Sequence, residues 1–166
     1  MQMRAMTVVP VPAAEAWVLV GERFGDIGTW AATVSSSSMD GPVAPGAVRT
    51  CHVRGFGPMP AGVVRERLIT FDPVARSLSY AGEGLPSFIT GAVNRWSVHP
   101  QGEGSCVVRV HATLTVHPLV RPFGSWLRRR MGKDAAAVLE ELVHHLVTGR
   151  PHARKVAADH TSSTVR

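Results

Sequence analysis

The sequence is short of the residues that most often carry recognisable chemistry. It holds two cysteines and one tyrosine, and aromatics make up only 6% of its 166 residues. Cys51 and Cys106 stand far apart, each inside an apparent strand, so there is no CxxC pair and no metal-ligand spacing. They read as buried thiols, and nothing supports a disulfide. No apolar run approaches the roughly 18–20 residues that span a bilayer. The opening MQMRAMTVVPVP has neither the long apolar stretch nor the small-residue cleavage site of a signal peptide, so the expectation is a soluble, cytoplasmic chain. GxSxG, P-loop and GxGxxG motifs are missing, which removes sequence support for nucleophile-elbow hydrolases, NTPases and dinucleotide enzymes, and no cofactor is called for. Acidic residues are scarce too: 12 Asp and Glu stand against 18 Lys and Arg, a net charge of +6. That balance raises nucleic acid as a partner. The basic residues cluster in RPFGSWLRRRMGK and in the last 17 residues without the interleaved aromatics that stack on bases, so nucleic acid is not expected.

What is present is a globular composition, 45% hydrophobic and 18% charged. Residues 1–149 read as one domain. Residues 150–166, RPHARKVAADHTSSTVR, show no apolar period and read as a basic, mobile tail. Arg4–Val11 reads as a strand, AAEAWVLVGERF as a short helix after Pro12, and GDIGTWAA as a second short helical turn bearing Trp30. Five β-rich runs follow: Val48–Arg54, Val63–Phe71, Ser77–Ala81, Phe88–Val98 and Cys106–Val116, broken by GFGPMPAG, FDPVARS, GEGLP and HPQGEG. Beyond Pro118 the period turns helical, with Leu127, Met131, Ala135, Val138, Leu142 and Leu146 on one face. A sheet with one apolar face needs cover, and the long helix supplies it.

Alternation then sorts the polar residues. In GSCVVRVHATLTVHP the row Val108, Val110, Ala112, Leu114 and Val116 faces inward, and Arg109, His111, Thr113, Thr115 and His117 face out. His111 and His117 lie about 20 Å apart at strand rise and cannot share a metal. Cys51 and Val53 carry Arg49 inward with them, Leu68 carries Glu66, Leu78 carries Tyr80, and Ala92 and Trp96 carry Thr90 and Asn94. The polar inward set is therefore Arg49, Glu66, Tyr80, Thr90 and Asn94. Two readings stay open: a pocket whose polar groups orient a guest, or an Arg49–Glu66 ion pair that only holds neighbouring strands. Trp30 either caps the cavity mouth or packs the short helices on the sheet. Trp126 beside three arginines either touches a membrane or an acyl-carrier protein, or anchors the helix in the core. In EELVHH, Glu140 with His144 and Glu141 with His145 have i, i+4 spacing, which reads as a solvated face, and no metal site is expected.

The segments FGDIGTW, GAVR, RERLITFDPVARSLSY, LP and RWSVHPQGEGSCVV, followed by an amphipathic helix, resemble the START/Bet v 1-like (SRPBCC) superfamily, in particular its bacterial polyketide cyclase/dehydrase-type members, over about Thr7 to Leu146. The resemblance implies an α+β helix-grip fold: a curved antiparallel sheet of about seven strands wrapped around the long C-terminal helix, two short helices after the first strand, and an apolar cavity between. Members bind lipids, hormones, sterols or polyketide intermediates, and some catalyse cyclisation, dehydration or condensation. Plant abscisic acid receptors of the superfamily line their pocket with a glutamate in a TERL context similar to Glu66 in RERL and with a polar residue matching Asn94. Similar bacterial members often carry aromatics where this chain has Val110 and Thr90 or Ala92, which implies a different or roomier cavity. The expected activity is a lyase-type biosynthetic cyclase or dehydratase without cofactor, with Arg49 stabilising an oxyanion, Glu66 or Tyr80 moving a proton and Asn94 holding a carbonyl. Trp30, Cys51, Val53, Leu68, Thr90, Ala92, Asn94, Trp96, Val110, Leu127 and Met131 are the expected ligand contacts. The alternative is a carrier or sensor of a small hydrophobic molecule that uses the same cavity without chemistry.

Overall fold

The computed structural model describes residues 1–56 and 59–163; the side chains of residues 56, 59, 120, 121, 162 and 163 lie outside the description, as does part of the expected GFGPMPAG turn. Seven strands, β1 (Gln2–Val9), β2 (Val34–Met39), β3 (Val48–Phe56), β4 (Met59–Asp72), β5 (Ser77–Glu83), β6 (Ile89–Pro100) and β7 (Cys106–Val116), form one antiparallel sheet. Their order is β1-β7-β6-β5-β4-β3-β2, so every pair of sequence neighbours from β2 to β7 is also a pair in space, and β1 closes onto β7. Two short helices, α1 (Ala13–Trp17) and α2 (Ile27–Trp30), follow β1, and the long α3 (Gly124–Thr148) lies across the sheet. This is the helix-grip fold.

The apolar alternation is what selects the covered face. Along β7, Val108, Val110, Ala112 and Leu114 are buried while Arg109 and Thr115 are exposed. β2 is absent from the hydrophobic pattern because VSSSSM offers almost nothing to alternate; it is held by pairing with β3, including Ser37 opposite Cys51 and Ser38 opposite Thr50. The two ends of α3 do different work. Its C-terminal half puts Leu139 and Leu142 into the core with Leu68, Leu78, Val98 and Val108, and burial of one such leucine contributes about 2 kcal/mol. Trp17, stacked on Phe71 at 5.5 Å, fills the same end of the sheet. Gly21 follows Trp17 by one turn because a Cβ there would lie 2.4 Å from the indole ring. The N-terminal half of α3 instead roofs a cavity.

The last residues depart from the mobile tail that their composition predicts. Gly149 ends α3 in a left-handed cap, its N–H donating to His145 O, and Ala153–Ser163 then form a further helix, α4. Arg154 Nε donates to Glu141 Oε1 at 3.0 Å and Arg154 Nη2 to Glu140 Oε2 at 2.7 Å. Lys155, 3% exposed, donates from Nζ to Val34 O at 2.8 Å and to Asp159 Oδ1 at 3.0 Å, and Arg54 pairs with Asp159. The docking is polar, so an apolar period is the wrong signal for it. Glu140 and Glu141 are thereby committed to α4, while His144 meets His152 edge to face. No helix among the described residues is long and apolar enough to cross a membrane.

Candidate functional site

β3, β4, β5 and β6 deliver the polar inward residues in one row. Arg49 stands opposite Glu66, Leu68 opposite Tyr80, and Tyr80 opposite Asn94. With the N-terminal half of α3 they enclose a cavity of about 220 Å³. Cys51, Val53, Glu66, Tyr80, Ala92, Asn94, Trp96, Val110, Leu127 and Met131 all line it.

Four expected residues lie elsewhere. Thr90 is exposed, with Oγ1 donating to Thr115 O, because the β6–β7 register shifts between Ile89 and Gly91; the irregularity breaks the alternation, and Ile89 takes the inward place. Leu68 is 1% exposed and belongs to the packed core. Trp30 is buried and lines a separate hollow of about 20 Å³, so it packs the short helices instead of capping the cavity. Arg49 borders that same hollow and is not among the residues that line the cavity. Trp126 is 58% exposed, which rules out its core-anchor role.

Arg49 is 3% exposed. Its Nε donates to Glu66 Oε2 at 2.7 Å, Nη2 lies 2.6 Å from the same oxygen, and Nη1 donates to Phe24 O. The guanidinium also sits 3.6 Å from the Phe24 ring centroid and 5.3 Å from that of Tyr80. Burial is the largest single influence and works against its charge, but Glu66, Tyr80 and Cys51 together outweigh it, and the arginine pKa stands above its ordinary value. Arg49 therefore faces Glu66 and Phe24 O from within the wall, and among the described residues none that lines the cavity is Lys, Arg or His.

Glu66 is the group that faces both ways. Among the described residues its contacts fall on Oε2, which also accepts from Cys51 Sγ at 3.3 Å, while the same side chain lines the cavity. Tyr80 is kept a neutral phenol: burial first, then the charge of Glu66, raise its pKa above the usual tyrosine range. Sequence reasoning missed Asp134, which lines the cavity with Oδ2 buried and without a protein partner, and whose Oδ1 lies 3.7 Å from Arg130 Nε. The signal was there, since Asp134 follows Leu127 by seven residues and Met131 by three on the same helical face.

Burial and then Glu66 push the Cys51 thiol up to about 12. A raised folded-state value favours the protonated form, so its contribution to stability is complete below the unfolded value near 9 and is lost as pH rises toward 12. At pH 8, iodoacetamide is expected to leave Cys51 unmodified in the folded protein and to label it once denatured; rapid labelling in the folded state, read by mass spectrometry of the Cys51 peptide, would contradict the buried-thiol assignment.

The family described as polyketide cyclase/dehydrase and lipid transport matches residues 2–147. A solution structure from Thermobifida fusca is 29% identical, with a TM-score of 0.67 over 91% of this chain and 97% of that one. The Zhui aromatase/cyclase from Streptomyces sp. R1128 is similar in fold at 13% identity, with a TM-score of 0.73 over 88% of this chain and 93% of its own. Norcoclaurine synthase from Thalictrum flavum, solved with dopamine and hydroxybenzaldehyde, shares the fold at 15% identity, with a TM-score of 0.67 over 92% of this chain and 89% of its own. No curated protein sequence matches the chain.

Proposed function

Because the chain belongs to the polyketide cyclase/dehydrase and lipid transport family, we propose that it encloses a small, largely apolar, polyketide-like or aromatic molecule and catalyses its cyclisation and dehydration. One observation carries the catalytic part: Glu66 lines a largely apolar cavity while its contacts among the described residues fall on Oε2. Glu66 Oε1 takes a proton from the carbon beside a carbonyl of the folded guest, and that carbon bonds to a second carbonyl carbon of the same molecule. The alkoxide so formed recovers the proton from Glu66; loss of a further C–H proton and the hydroxyl as water completes the ring. Asn94 holds a guest carbonyl, the walls exclude bulk water, and Arg49 is a positioning residue that fixes where the carboxylate stands.

The carrier or sensor reading has its own supporting observation: with Arg49 buried in the wall, no cation lines the cavity among the described residues. The two readings part in one experiment with a short poly-β-ketone thioester. Wild-type protein is expected to accelerate formation of the ring product that has lost water, and Glu66→Gln to bind the compound with turnover reduced at least about 100-fold. Binding by the wild type without acceleration would leave the carrier reading in its place, whereas full turnover by folded Glu66→Gln would remove Glu66 from the reaction.

A further inference from the structure

The segment between β7 and the middle of α3 is apolar and cationic on a side that the cavity does not use. Leu119, Phe123 and Trp126 are 80%, 65% and 58% exposed, unusual values for three large side chains so close together. Trp126, Arg129, Arg130 and Lys133 follow at i, i+3, i+4 and i+7 and share one exposed face of α3. Leu127, Met131, Asp134, Ala135 and Val138, on a different face of the same turns, line the cavity. No acidic residue occurs from Ser105 to Lys133.

We propose that this outer face docks on an anionic lipid bilayer, with Leu119, Phe123 and Trp126 entering the interface and Arg129, Arg130 and Lys133 meeting the headgroups. The layout decides between a bilayer and an acidic protein. The apolar side chains stand together at the leading end and the cations on the next turns, which is how an interfacial helix divides its burial and its charge. Protruding side chains of this kind find room in a fluid acyl boundary, whereas a protein partner must supply a matched pocket for each. A tryptophan at the junction is at home at headgroup depth. Since the cavity wall and the docking face belong to the same turns of α3, the bilayer comes to lie about one helix diameter, roughly 10 Å, from the cavity, close enough for an apolar guest to pass between them.

Trp17, Trp30 and Trp96 are buried, so a change in tryptophan emission on docking reports Trp126. Vesicles of phosphatidylglycerol and phosphatidylcholine at low salt are expected to sediment the full chain and shift its emission to the blue, and vesicles of phosphatidylcholine alone to do neither. Each cation near an anionic surface strengthens partition about fivefold, so Arg129→Gln with Lys133→Gln should weaken binding about 25-fold. Phe123→Ser with Trp126→Ser should abolish sedimentation while near-ultraviolet circular dichroism shows the fold intact. Failure of the full chain to sediment with anionic vesicles overturns the proposal. So does unchanged vesicle binding by the Phe123→Ser, Trp126→Ser variant, which would mark the face as a purely electrostatic surface suited to an acidic protein.

Discussion

Changing Arg49 to Met alone is expected to destabilise the protein by about 3–5 kcal/mol, because it strands the Glu66 carboxylate at a largely buried position. The pair is short, at 2.6 Å, and its side chains are only 4% and 16% exposed, so solvent cannot replace the lost partner. Glu66→Leu is expected to cost a similar amount from the other side, leaving a guanidinium with only Phe24 O and two aromatic rings around it. The double change, Arg49→Met with Glu66→Leu, should recover most of this stability, since apolar groups of similar volume often replace a buried pair at little cost. Urea denaturation of the three variants measures the stabilities. The double variant then separates structure from chemistry: folded but inactive, it assigns Glu66 to the reaction; folded and fully active, it leaves the pair a strand-holding device. Single variants as stable as the wild type would mean that water reaches the pair freely.

Truncation after Gly149 is expected to cost about 2–4 kcal/mol, from the loss of hydrogen bonds to charged groups that Arg154 and Lys155 make with Glu141 and Val34 O. At roughly 2–4 °C per kcal/mol for a chain of this length, calorimetry should show a melting temperature several degrees lower. Glu141, whose side chain is 3% exposed, keeps its bond from Ala32 N but loses its cation. The pH dependence has a definite sign. Burial raises the Asp159 pKa, but Lys155 and Arg54 outweigh it and hold the carboxyl below its usual value. Its contribution is thus present above the unfolded value near pH 4 and is lost as pH falls through the folded one, so the gap between full-length and truncated chains should narrow in acid. Equal melting temperatures at neutral pH would show that α4 adds nothing to the fold.

The covered face of the sheet was legible because it rests on a local rule. Residues two apart in a strand share a face, so Val108, Val110, Ala112 and Leu114 name the inside by themselves, and Cys51, Glu66, Tyr80 and Asn94 follow from their own apolar neighbours. The roof was legible for the same reason at helical spacing, through Leu127 and Met131. What alternation does not carry is depth or register. Arg49 and Glu66 are both inward, yet only the packing of Phe24 and Tyr80 on the guanidinium places Arg49 beside the carboxylate and outside the cavity lining. Thr90 turns outward because a one-residue register shift between Ile89 and Gly91 is decided by the fit of β6 against β7, which a single strand's pattern does not contain. The docking of α4 is not legible because it depends on carboxylates, carbonyls and an arginine between 13 and 121 residues away, and its own composition holds no trace of them. The sequence by itself determined which faces are apolar and which residue types those faces carry. Tertiary structure decided which polar groups are spent on one another and which are left to meet a guest, because hydrogen bonds and ion pairs are short-ranged and join residues that only the folded chain brings within reach.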